Sequence, residues 1–226
     1  MDWESSHTVS SFDEDMGNVF QGIEDMGSHV SSMYDSCVSS LKLEDVSIAR
    51  SVVMQDSTLT QLEIDVETMV IRTIALRQPV ARDLRELIAA IKIAACFNRV
   101  GNLCKSIANR IPFLLSCGKT DLFEKTLGLA QLVHHQLHSV ITSYTKRDCV
   151  LARDVWKQDV EIDDTFNAVL CSLVGAMSED GGMVPFCSQM MFCAKNLERI
   201  GDQTTFIAEM VQYVVKGRFV LDNPTV

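Results

Sequence analysis

Apolar residues in this chain recur at spacings of three and four over long stretches, the period of helices with one buried face. Leu59, Leu62, Val66, Met69, Thr73 and Leu76 keep that alternation, and the run stops before Pro79, which cannot continue a helix. Leu84, Leu87, Ile88, Ile91, Ala94, Ala95 and Asn98 form a second stripe. With the breakers added, the pattern predicts six helical segments, at about 12–39, 43–76, 80–115, 122–145 and 150–177, and a last one entered through Gly181-Gly182 and Pro185. That last segment ends at Lys216-Gly217, a C-terminal glycine signal. Gly17, Gly22 and Gly27 weaken the first segment, each by about 1 kcal/mol relative to alanine, so it depends on tertiary packing. Pro112 is expected to kink or end the third.

Three segments precede residue 117 and three follow, and the halves echo each other. Asn98-Arg99-Val100-Gly101-Asn102 recurs one hundred residues later as Glu198-Arg199-Ile200-Gly201-Asp202, and Ile107-Ala108 as Ile207-Ala208. Upstream, Asp56-x-x-Leu59-Thr60 is echoed by Asp159-x-x-Ile162-Asp163. The economical fold is all-α, two tandem three-helix bundles over residues 1–117 and 118–226, with short connections making successive helices antiparallel neighbours.

Composition narrows the function. Four prolines and eleven glycines in 226 residues are too few for a many-stranded sandwich or barrel. A net charge of −10 disfavours phosphate backbones and anionic lipid, so no nucleic-acid partner is expected. The apolar stretch from Leu87 to Phe97 is broken by Lys92 and short of a span, and the residues from Met1 to Ser5 carry no positive charge, so neither membrane span nor signal peptide is expected. Eight cysteines occur without a C-x-x-C pair, which excludes a zinc ribbon and points to reduced, buried thiols in the cytosol.

The candidate chemistry lies in the repeated motifs. Glu198 and Asp202 stand four apart, so a helix places both carboxylates on one face. Two readings are open: solvated surface acids, with Arg199 screening Glu198, or ligands to a cation at a helix-helix seam. Gly201 suits the second, because a missing side chain there lets another helix approach, and Asp159 and Asp163 supply opposing carboxylates. An all-oxygen set selects cations such as magnesium, manganese or iron. Leu84, Ile88, Ile91, Ala95, Asn98 and Asn102 form one seam, so Asn98 and Asn102 are expected to continue an apolar face and Glu198 and Asp202 its counterpart. His134, His135 and His138 offer helical ligand spacings but lack the glutamate of H-E-x-x-H, and they are read as helix surface. Gly118-Lys119-Thr120 imitates the end of a P-loop, yet Phe113 stands where its first glycine belongs, so the segment is a loop and helix start. No nucleophilic triad and no G-x-G-x-x-G occur, the Glu-x-x-His pairs of a di-metal oxidoreductase are missing from the last two segments, and the eleven methionines read as core filler.

Ala75-Leu76-Arg77-Gln78-Pro79-Val80-Ala81-Arg82-Asp83-Leu84-Arg85, then Asn98 to Asn102, then Leu197-Glu198-Arg199-Ile200-Gly201-Asp202 and Val215-Lys216-Gly217 resemble the PhoU family of bacterial phosphate-uptake regulators over about residues 11–218. The resemblance implies two three-helix bundles, each with an E/D-x-x-x-D motif for multinuclear iron or zinc, and no catalytic activity. It implies a cytoplasmic adaptor that restrains high-affinity phosphate import and keeps the starvation response off. The implied partners are the ATPase of the phosphate ABC importer and a membrane sensor histidine kinase, so that any membrane association runs through them. Glu198, Asp202, Asp159 and Asp163 match the motifs in the second repeat, whereas the first has Asn98, Asn102 and Thr60 and keeps only Asp56. Amides bring no charge, so one metal site is expected, in the second bundle, with weak or no binding in the first. A homodimer through a helix face is also expected, and an adaptor with vestigial metal sites and a different partner is the alternative.

Overall fold

The computed structural model describes residues 3–118 and 120–218, with side chains from residue 11 onward. Among them are helices α1 (Trp3–Lys42), α2 (Val46–Arg77), α3 (Ala81–Ala108), the short α4 (Ile111–Ser116), α5 (Asp121–Lys146), α6 (Cys149–Glu179) and α7 (Val184–Lys216), with one 3-10 turn at Gly181–Met183. Local chemistry sets the ends. The Asp45 carboxylate accepts from the Ser47 N–H, the Thr120 hydroxyl from Phe123, and the Asp148 carboxylate from Val150 and Leu151, satisfying donors that a first turn leaves free. Gln78 closes α2 in the left-handed conformation immediately before Pro79, and Gly217 closes α7 at φ 73°. Pro112 sits in the first turn of α4, where no N–H is needed, so the predicted third segment is two helices separated by Asn109 and Arg110.

The all-α, tandem-repeat prediction is borne out: α1, α2 and α3 pack as one three-helix unit and α5, α6 and α7 as the other. Their principal seam runs between α3 and α7, flanked by α1 against α5. One continuous core therefore crosses both repeats. On α3 the residues Leu87, Ala90, Ala94, Phe97, Gly101, Cys104 and Ala108 alternate spacings of three and four and all are buried. Cys187, Met190, Ala194, Leu197, Gly201, Thr204, Ala208 and Val211 do the same on α7. Each of the larger side chains among them contributes about 1.5–3 kcal/mol by leaving water. Within Ala81–Ser116 one 18-residue window is apolar enough to cross a membrane by composition, but 61% of that window is buried inside the protein.

The sequence reading chose a different seam, and the structure corrects it. Leu84 and Ile88 are each 38% exposed, Ala95 and Asn102 are exposed, and Ile91 and Asn98 are half-buried, so that line runs along the outer edge of α3. The same alternation fits several neighbouring registers of an apolar helix, and only tertiary packing selects one. Leu76 likewise leaves the core, at 63% exposed, where α2 ends. α1 persists through its glycines by packing, since a Cβ on Gly22 would lie 2.8 Å from the Val66 side chain of α2.

Polar contacts tie the repeats together. Arg147, in the left-handed cap after α5, donates twice to Glu86 of α3, at 2.9 Å each. The Asn196 amide donates to Ser106 Oγ at 3.0 Å, and the Arg110 guanidinium lies 5.0 Å from the centre of the Phe192 ring.

Candidate functional site

In the second repeat, α6 and α7 are packed together and bring the sequence motifs to one side of their seam. A Cβ on Gly201 would lie 3.3–3.4 Å from Gln136 Oε1, Asp159 Oδ1 and Ile162, so the bare backbone of α7 lets α6 and α5 come close. Asp159 is half-buried, and its carboxyl is pushed up to about 6. Burial is the main cause, opposed by a hydrogen bond from the buried Gln136 amide, and the charges of Asp163, Asp202 and Glu198 raise it further. Asp159 thus lies within electrostatic reach of the other three acids. Asp163 and Asp202 are exposed, while Glu198 has a side chain only 13% exposed. One Glu198 oxygen accepts from Lys195, and the other, Oε2, is buried without a partner. A buried carboxylate oxygen with no hydrogen-bond partner is costly even with Lys195 on its twin, so this acid-lined seam has the chemistry of a cation site.

The first repeat places a cation beside the equivalent acid. Asp56 occupies the position of Asp159, and its Oδ2 accepts from Lys105 Nζ at 2.6 Å. An ammonium thus supplies the positive charge. Asn98 donates to Glu63, burial raises the Glu63 carboxyl, and the Thr60 hydroxyl donates to Asn98 Oδ1 at 3.4 Å. Asn102 is turned onto the Asn98 carbonyl at 3.1 Å. Gly101 is more tightly packed than Gly201, with Leu59 Cδ2 only 2.3 Å from where a Cβ would be.

One group was not assembled from the sequence. Among the described residues, a single set of three His, Cys, Asp or Glu side chains has its ligand atoms within 4.8 Å of one another, and it is Asp35, His134 and His138 rather than the acid set of α6 and α7. Uncompensated carboxylates repel, and Glu198 turns toward Lys195 instead of toward Asp159. Sequence alone places the two histidines on a helix surface; their i,i+4 spacing is the available signal, but Asp35 lies on α1 in the other repeat, where no local spacing points. His135 stands apart, exposed.

A duplicated helical bundle with an acid-lined seam in one copy and its amide counterpart in the other is the architecture of a family of non-enzymatic regulatory accessory proteins. The PhoU domain matches residues 23–111 and again 126–211, and the chain belongs to the PhoU family. It is 36% identical over 215 residues to a phosphate-specific transport system accessory protein PhoU homolog of Zymomonas mobilis, covering 95% of this chain and 91% of that one. A Caulobacter vibrioides protein of the same description is 34% identical over 214 residues, covering 94% and 93%. The crystal structure of PhoU from Pseudomonas aeruginosa superposes with a TM-score of 0.88 at 27% identity, over 92% of this chain and all of that one. The phosphate transport system regulatory protein PhoU from Streptococcus pneumoniae shares the fold, with a TM-score of 0.86 at 22% identity.

Proposed function

We propose that this protein is a cytoplasmic regulator of phosphate homeostasis that restrains high-affinity phosphate import and represses the starvation response when phosphate is plentiful. It acts as a metal-binding adaptor between the ATPase subunit of the phosphate ABC importer and a sensor histidine kinase. The observation that carries this reading is the family match on both repeats, with relatives of near-equal length that are phosphate-specific transport accessory proteins. A division near residue 117, between α4 and α5, is supported by the two family matches falling on either side of it.

The metal, iron or zinc, is held in the second repeat by Asp159, Asp163, Glu198 and Asp202. The residues fit it: the orphaned Glu198 Oε2, the mutual repulsion felt at Asp159 and the close approach at Gly201 are all relieved by one or more cations. Bound metal would fix the α6–α7 seam and give the adaptor a rigid, less acidic face for its partners. In the first repeat Lys105 already neutralises Asp56, which supports a single site. The exposed Leu84 and Ile88, one turn apart on α3, are apolar positions that a homodimer through a helix face would use.

One observation favours the alternative adaptor with vestigial sites, namely that Lys195 already pairs with Glu198. A deletion strain separates the two. Loss of the gene is expected to raise phosphate uptake and to switch on starvation genes in phosphate-rich medium, with restoration by wild type but not by Glu198→Gln/Asp202→Asn. Unchanged uptake in the deletion strain contradicts the phosphate role, and full restoration by the double variant contradicts the metal's part in it.

A further inference from the structure

We propose that Asp35, His134 and His138 form a second metal site, independent of the acid-lined seam, which takes a borderline transition ion such as zinc and ties α1 of the first repeat to α5 of the second. His134 Nε2 lies 2.8 Å and His138 Nε2 3.7 Å from the same oxygen, Asp35 Oδ1. A tetrahedral ion with bonds of about 2.1 Å holds its ligand atoms about 3.4 Å apart, so this triangle needs only small side-chain adjustments to close on one. The two imidazoles, with ring centres 4.3 Å apart, present both Nε2 atoms to a single carboxylate oxygen, and all three ligand atoms lie within 4.8 Å of one another, the donor set an ion between them would use.

The scaffold holds these groups in register. Ser31 and Asp35 are four apart on α1, as are His134 and His138 on α5, and the helices meet antiparallel there: Asp35 faces His134, and Ser31 Oγ lies 3.1 Å from His138 Nε2. Beside Asp35, Tyr34 is buried, and its hydroxyl donates to the Ala130 carbonyl of α5 at 2.7 Å, one turn before His134. That bond fixes how α1 slides against α5 and therefore where Asp35 meets the imidazoles. The three ligand side chains remain 44–46% exposed, which leaves an entry path and room for water in a fourth position. The donor chemistry differs from that of the α6–α7 seam. Two neutral imidazoles and one carboxylate select zinc, nickel or copper over magnesium, whereas four carboxylates favour harder ions.

The test is equilibrium zinc binding to the full-length chain carrying Glu198→Gln/Asp202→Asn, so that the acid-lined seam contributes nothing. One zinc per chain is expected, with no competition from excess magnesium. His138→Ala and, separately, Asp35→Asn should each raise Kd at least about tenfold, since loss of an outer-shell partner alone typically costs 10–100-fold. His135→Ala, one residue away and outside the triangle, should leave Kd unchanged. Far-ultraviolet circular dichroism confirms that each variant is folded, and cobalt(II) in place of zinc should show four-coordinate visible bands that disappear in His138→Ala. Zinc binding that survives His138→Ala, magnesium binding as well as zinc, or no zinc binding at all would each overturn the proposal, the last leaving a hydrogen-bonded cluster only.

Discussion

Gly101 and Gly201 occupy equivalent places in the two repeats and differ in what surrounds them. Beside Gly101 the buried Leu59 leaves no space, with its methyl 2.3 Å from an added Cβ, whereas the neighbours of Gly201 stand at ordinary contact or slightly closer. Overpacking a core costs about 1–3 kcal/mol, and alanine in a helix returns about 1 kcal/mol of propensity. Gly101→Ala should therefore lower stability by about 1 kcal/mol in urea unfolding, while Gly201→Ala should be close to neutral. The charges around these glycines differ as well. Lys105 is the cation paired with Asp56, whose side chain is 15% exposed and whose Oδ1 lacks a partner among the described residues. Lys105→Met should cost about 2–3 kcal/mol by stranding that carboxylate, and adding Asp56→Asn should recover most of the loss. If the single and double variants unfold at the same urea concentration, the ammonium does not play the part of a metal in this repeat.

At the scale of the helices, the central pair α3 and α7 controls what the rest can do, because both are buried on two sides. Their cysteines report on that burial. Desolvation pushes the Cys104 and Cys193 thiols up to about 12 and Cys96 up to about 11, whereas Cys117 and Cys171 are exposed. A thiol of pKa 12 is only about one part in ten thousand thiolate at pH 8, so alkylation there should label Cys117 and Cys171 first. Cys96, Cys104 and Cys193 should follow only as the packing around α3 and α7 opens, and equal labelling of all eight would contradict the shared core. The sequence showed the helices and the duplication through periodicity, caps and the hundred-residue echo. It did not show which stripe of α3 is buried, since Leu84–Ile88–Ala95 and Leu87–Ala94–Gly101 carry the same alternation and burial on a second side is decided by α7. The break after Ala108 was half legible, because Pro112 marks a helix start as readily as a kink.

The whole molecule is an acidic, duplicated bundle in which one copy pairs its buried Asp56 with Lys105, and the other sets three further carboxylates around Asp159 with Lys195 against one of them. That asymmetry was legible in part: Asn98 and Asn102 against Glu198 and Asp202 can be read directly, whereas Lys105 and Gln136 enter only through contacts between helices. The joint between the copies is also polar at one edge. Breaking the Arg147–Glu86 pair with Glu86→Ala should cost about 1 kcal/mol, less at high salt because Arg147 is partly exposed, and chemical denaturation at two ionic strengths checks it.

The most direct measurement is elemental analysis of the untagged protein by mass spectrometry, in a His134→Ala/His138→Ala background so that the imidazole group adds nothing. A single functional site in the second repeat predicts bound iron or zinc in this parent and none after Glu198→Gln/Asp202→Asn. It further predicts additional metal when the first repeat is converted by Asn98→Asp/Asn102→Asp/Lys105→Thr. Undiminished metal after Glu198→Gln/Asp202→Asn, or no metal in any of the three proteins, would contradict it.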